Sequence, residues 1–104
     1  MIVELNEDNF DSEIKNGIKL VEFYATWCIY CKKQRIELMN FENNDNVWIG
    51  IVDGDESPNI LKRYKISSYP SFILFKDGNK VVSFSGYHSK EQILNRVILA
   101  LKDD

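Results

Sequence analysis

Leu20-Val21-Glu22-Phe23-Tyr24-Ala25-Thr26-Trp27-Cys28-Ile29-Tyr30-Cys31-Lys32 is the stretch that decides how this chain reads. Its first six residues are nearly continuous hydrophobe with one carboxylate inside, the pattern of a central strand covered on both faces. A charged, helical segment follows Cys28 and runs to about Phe41. Cys28 therefore falls where a buried strand hands over to a helix, at the carboxyl end of a central strand, where sites in open α/β sheets lie. The first-turn N–H groups of a helix have no intrahelical partners, and the helix dipole adds partial positive charge there. Both favour a thiolate over a thiol at Cys28, expected to be the more exposed cysteine. Cys31, one turn later, is within reach of a mixed disulfide on Cys28. The spacing thus supplies a nucleophile and a resolving thiol.

Working outward, the elements alternate from end to end with no repeat, low-complexity run or linker. Val3 and Leu5 read as a first strand. Asn6 caps a helix with Phe10 and Ile14 four apart, ending at Gly17. Val47 to Val52 is the next buried strand. Ser57-Pro58 is an N-cap with proline at the first helical position, and Ile60, Leu61 and Tyr64 mark that helix's buried stripe. Ser71–Phe75 and Val81–Phe84 are strands joined across Lys76-Asp77-Gly78-Asn79-Lys80, a hairpin signal. Ser89-x-x-Gln92 is a capping box opening the last helix, whose apolar positions are Ile93, Leu94, Val97, Ile98 and Leu101. The order βαβαβαββα predicts an α/β sheet, mostly parallel with one antiparallel hairpin.

The chain has 104 residues, 44% of them hydrophobic, which suits a single domain over residues 1–104. Thirteen Lys and Arg against 16 Asp and Glu give a net charge of −3 and argue against nucleic acid as a partner. No run approaches the roughly 18 apolar residues of a transmembrane helix, so no membrane partner is expected. The start, Met1-Ile2-Val3-Glu4, lacks a signal-peptide pattern. A secreted disulfide scaffold would carry four or more cysteines, whereas this chain has two, in one C-x-x-C. Structural zinc wants four ligands. The pair offers two and the one histidine is His88, so no metal is expected, with a metal bridged between two chains the lesser reading.

Val21-Glu22-Phe23-Tyr24-Ala25-Thr26-Trp27-Cys28-x-x-Cys31-Lys32 resembles the active-site segment of the thioredoxin family, and Val-Glu-Phe-Tyr-Ala resembles the protein disulfide isomerases within it. Tyr64 to Phe72 resembles the family's segment with a cis-proline, here Pro70, opposite the cysteines. Phe75-Lys76-Asp77-Gly78 and Gly86 also match. The resemblance implies a thioredoxin fold: a central mixed sheet of about five strands flanked by four helices. It implies that Trp27, Tyr69, Pro70 and Gly86 border the substrate groove, Tyr69 narrowing or reshaping it. It gives Glu22 the part of a buried carboxyl that accepts the proton of Cys31. Many members pair that acid with a lysine on the next central strand, but counting from Pro58 and Pro70 the place is Ile51 here. Family members also kink the helix after the cysteines with a proline; that position is Ile36, so a straighter helix is expected. Lys32, Lys33 and Arg35 read as a solvated face, His88 as a surface loop residue, Trp48 and the remaining aromatics as core.

These readings combine into a thiol–disulfide oxidoreductase that reduces protein disulfides through Cys28 and Cys31. It needs no cofactor. Its expected partners are protein disulfides and an electron donor of the thioredoxin-reductase type, and it is expected to be a cytoplasmic monomer. With no histidine between the cysteines, the potential should lie toward the reducing end, roughly −270 to −200 mV. Ile29-Tyr30 is not the dipeptide of thioredoxins, disulfide isomerases or glutaredoxins, so a glutaredoxin-like or isomerase-like enzyme stays open, as does a non-enzymatic peptide-binding module.

Overall fold

The hydrophobic run around Val21 becomes β2 (Ile18–Tyr24), the middle strand of a five-stranded sheet in the order β1-β3-β2-β4-β5. This computed structural model describes residues 2–102, so Met1, Asp103 and Asp104 of the expected 1–104 domain lie outside it. Around β2 the chain places β1 (Ile2–Leu5), α1 (Phe10–Ile14), α2 (Ile29–Met39), β3 (Trp48–Asp53), α3 (Pro58–Tyr64), β4 (Ser71–Lys76), β5 (Asn79–Ser85) and α4 (Lys90–Lys102). No helix among the described residues is long and apolar enough to cross a membrane.

The sheet is more evenly mixed than a mostly parallel one. β3 runs parallel to both β1 and β2, whereas β4 is antiparallel to β2 and to β5. A hydrophobic run specifies that a strand is buried, not which way it points; after α3 the chain enters β4 beside the carboxyl end of β2. β4 and β5 join through Asp77 (φ 50°) and Gly78 (φ 84°), a two-residue turn whose positive φ values match the twist of a hairpin.

Alternation along β2 divides the core. Val21 and Phe23 join Leu5, Phe10, Ile14, Val52, Ile60, Ile73 and Phe75 on the α1/α3 face. Leu20 joins Leu38, Ile49, Ile51, Phe72, Leu74, Phe84, Ile93 and Val97 on the α2/α4 face. Glu22, in phase with Leu20, shares that second face.

Local signals held where the partners are close in sequence. Asn6 Oδ1 accepts from the Asp8 and Asn9 N–H groups and so caps the turn before α1, whose own N-cap position is Asn9 rather than Asn6. Ser89 and Gln92 exchange both capping-box hydrogen bonds. Four expectations are corrected. Ser57 holds the N-cap position of α3, but its buried hydroxyl bonds to nothing; Glu7, 52 residues away, accepts from the N–H of Asn59 instead. α2 ends at Met39 because Asn40 turns its N–H back to the Glu37 and Leu38 carbonyls. Ile98 is exposed, since α4 buries the narrower stripe of Ile93 and Val97. Among the aromatics, Trp48 is half-buried and Tyr30, in the first turn of α2, is 63% exposed.

Candidate active site

The end of β2 and the start of α2 bring the two cysteines together. Cys28 is the N-cap of α2 in an extended conformation, and its Sγ accepts the Cys31 N–H at 3.2 Å. A sulfur has taken the place usually held by a Ser or Asp oxygen, where it faces one of the helix's unpaired donors. Cys28 is half-exposed and Cys31 is buried; both are free thiols. Burial pushes the Cys31 thiol up to about 12, reinforced by the contact and charge of Cys28 and the charge of Glu22, and opposed by a backbone hydrogen bond at Ala25. The pair is asymmetric: one sulfur faces solvent and a helix N-terminus, while the other needs help to lose its proton.

Opposite the cysteines the Tyr69–Pro70 peptide is cis, as the family resemblance implies. The Cys28 thiol donates to the Tyr69 carbonyl at 3.8 Å. The Pro70 carbonyl is occupied by the N–H of Gly86 at 2.8 Å, with Gly86 at φ 90°. The Tyr69 ring meets Trp27 edge-on, centroids 5.7 Å apart. Trp27 is 65% exposed and fixed through its indole N–H to Asp55 at 2.9 Å. The phenol end of Tyr69 lies over Gly54, leaving no room there for a Cβ. Thus Tyr69 folds back along the β3–α3 loop while its backbone faces Cys28.

Glu22 is fully buried, and neither carboxyl oxygen has a hydrogen-bond partner. In register it lies beside Ile51 on β3 and Phe72 on β4, so the flanking strands offer it no cation. Arg35 is the correction here. It does not belong to a solvated face: its guanidinium reaches back from α2 to 3.9 Å from Glu22 Oε1 and lies over the Tyr24 ring. At that separation the two attract as charges without a hydrogen bond. Burial pushes the Glu22 carboxyl up to about 8, against the opposing charge of Arg35. Lys32 and Lys33 are exposed, as a solvated face requires, with the Lys33 ammonium over the Tyr87 ring.

Sequence reasoning missed Asp55, Gly54 and Gln34, and misread Arg35 and His88. Gln34 is fully buried and exchanges two 2.8 Å hydrogen bonds with the backbone of His88. The His88 ring packs against Phe84 and Phe72, so His88 is a half-buried tie between α2 and the start of α4. One signal was available for Arg35: it lies four residues after Cys31, hence on the same helix face. Among the described residues, no three His, Cys, Asp or Glu side chains converge as a metal site.

The chain matches the family model described as Thioredoxin over residues 1–98. It is 37% identical over 94 residues to a thioredoxin of Staphylococcus epidermidis, covering 88% of this chain and 90% of that protein. It is 38% identical over 98 residues to a thioredoxin of Chlamydia pneumoniae, covering 93% and 96%. The solved structure of a point-mutant thioredoxin from Halobacterium salinarum superposes with a TM-score of 0.85 at 20% identity, covering 95% of this chain and 89% of that one, a likeness of fold.

Proposed function

We propose a cellular role for this chain from one premise: it belongs to the thioredoxin family and is a protein thiol–disulfide oxidoreductase. Within that activity it works as a reductant, as a single-domain cytoplasmic monomer re-reduced by a donor of the thioredoxin-reductase type. The Cys28 sulfur at the N-cap carries the reading: it is half-exposed and accepts the Cys31 N–H from the first turn of α2. The Ile29-Tyr30 dipeptide adds no histidine or charge beside that sulfur of the kind a strong oxidant of the family uses.

The chemistry runs in two exchanges. Cys28 Sγ attacks a substrate disulfide; a new S–S bond forms, and one substrate sulfur leaves as thiolate and takes a proton from solvent. Cys31 then gives its proton to the Glu22 carboxylate and attacks Cys28 Sγ. The second substrate sulfur departs with the electron pair, the substrate is reduced by two electrons, and Cys28–Cys31 becomes the disulfide. Trp27, Tyr69, Pro70 and Gly86 border the groove for the incoming peptide, with the backbone at Tyr69 beside the reacting sulfur.

Equilibration with glutathione buffers tests the direction. A potential of roughly −270 to −200 mV is expected, and one above about −150 mV, near the oxidant end of the family's range, overturns the reductant role. Limiting alkylation with peptide mapping tests the division of labour. Cys28 should label first at neutral pH, Cys28→Ser should abolish reduction, and Cys31→Ser should accumulate mixed disulfides. Preferential labelling of Cys31 would reverse the two roles.

A further inference from the structure

Glu22 points to the α2/α4 face of the sheet, and the register positions beside it, Ile51 and Phe72, are apolar. From α2 the groups that face it are Cys31 and Arg35. Tyr24, two residues on along the same strand, has its ring under the guanidinium, 4.7 Å from centroid to carbon. Arg35 Nε is buried without a partner, and the Arg35 side chain is only 31% exposed. This is a costly place for an arginine unless its charge is used. A cavity of about 240 Å3, lined by Tyr24, Ala25, Thr26, Cys31, Lys32 and Arg35, opens beside both the resolving sulfur and the guanidinium. Lys32 adds a second positive charge on that lining.

We propose that Arg35, laid over the Tyr24 ring, is the positioning residue that sets the ionisation of Glu22 and thereby the pH at which Cys31 resolves the mixed disulfide. The proposal rests on Glu22 being the proton acceptor. The charge that other members place on the neighbouring strand comes here from the helix that carries the cysteines. A guanidinium does not give up its proton, so the proton from Cys31 Sγ stops at Glu22 while Arg35 stays charged throughout. In the mixed disulfide Cys28 is uncharged and no longer opposes ionisation of Cys31; burial and Glu22 are what remain. Opposing charge beside a carboxyl lowers its pKa by about one to three units. Arg35 is therefore what keeps a carboxyl without hydrogen bonds ionisable near neutrality.

The test times the second exchange. Reduced protein is mixed rapidly with a peptide disulfide and quenched in acid at intervals, separating the trapped intermediate from the Cys28–Cys31 disulfide across pH 6–10. The Glu22 carboxyl is titrated in parallel by carbon-13 NMR. Wild type should show a rise centred near 8, as burial of Glu22 dictates. Arg35→Met, which keeps the stem, should move both the rate profile and the NMR midpoint up by about one to two units. Arg35→Lys should return most of the shift. Glu22→Gln should remove the midpoint near 8 and leave only a featureless climb with pH as Cys31 itself ionises. If Glu22→Gln leaves the profile unchanged, the proton-acceptor reading of Glu22 fails. If Glu22→Gln removes the midpoint near 8 but Arg35→Met leaves both midpoints in place, the assignment of Arg35 is overturned.

Discussion

Glu22 shows at the scale of one residue how a functional group is retained against stability. Its carboxyl is pushed up to about 8 by burial, above the ordinary 4.5 it keeps in the unfolded chain. The folded state therefore holds a proton that the unfolded state has released between those values. Stability is fully present below about pH 4.5, declines as pH rises, and levels off once pH passes about 8. At about 1.4 kcal/mol per unit the loss from this group reaches roughly 5 kcal/mol. Glu22→Gln cannot titrate and should lack that slope. Urea unfolding of both reduced proteins at pH 4.5 and pH 8 checks it; parallel losses would mean the carboxyl is ionised in the fold. The acid itself was legible as the one charge in the apolar run from Leu20 to Ala25. Its counter-charge was not, because Arg35 sits among Lys32, Lys33 and Gln34 and looks like any solvated helix face until the helix is laid on the sheet.

At the scale of elements, the two ends of the sheet do different work. The carboxyl end of β2 and the amino end of β4 hold Cys28 and Pro70. The far end is closed by the hairpin, whose Asp77 Oδ1 accepts the Gly17 N–H at 2.7 Å while the Asp77 N–H bonds the Gly17 carbonyl. These bonds tie the β4–β5 turn to the entry of β2, 60 residues earlier. Asp77 also tolerates φ 50° better than most side chains. Asp77→Ala should cost about 1–2 kcal/mol through the lost hydrogen bond and the left-handed backbone. The rate of disulfide reduction should stay within twofold, because the cysteines are at the opposite end. Thermal unfolding and a disulfide-reduction assay read the two effects; an equal fall in rate would show that the far end couples to the site. The hairpin was legible from Asp77-Gly78, whose backbone needs are local. Its tether to Gly17 was not.

At the scale of the whole molecule, α2 must be held in one place over the sheet, since it carries both Cys31 and Arg35. Gln34 does this by pairing both atoms of its amide with the backbone of His88. Replacing it with Leu leaves a buried N–H and C=O unpaired, at about 1–3 kcal/mol each. Gln34→Leu should therefore lower stability by roughly 2–6 kcal/mol in urea unfolding, with faster hydrogen exchange at the His88 amide. Unchanged exchange would show that the loop is held by its Phe84 and Phe72 contacts alone.

The order and kind of the elements, the capping box of α4, the hairpin turn and the placing of Cys28 at the start of a helix were all legible in the amino-acid order alone. Each depends on residues within about four positions of one another, where caps, turns and periodicity act. The family resemblance added the cis peptide before Pro70. That β4 runs against β2, that Gln34 is core, that Glu7 caps α3 and that Arg35 meets Glu22 emerged with the packing of the folded chain. Strand alternation puts Glu22 in phase with Leu20 and Tyr24 but does not say which helix covers that face. That is settled by how segments far apart in sequence share a limited apolar surface, and it gave a carboxyl flanked in the sheet by Ile51 and Phe72 its counter-charge from α2 above.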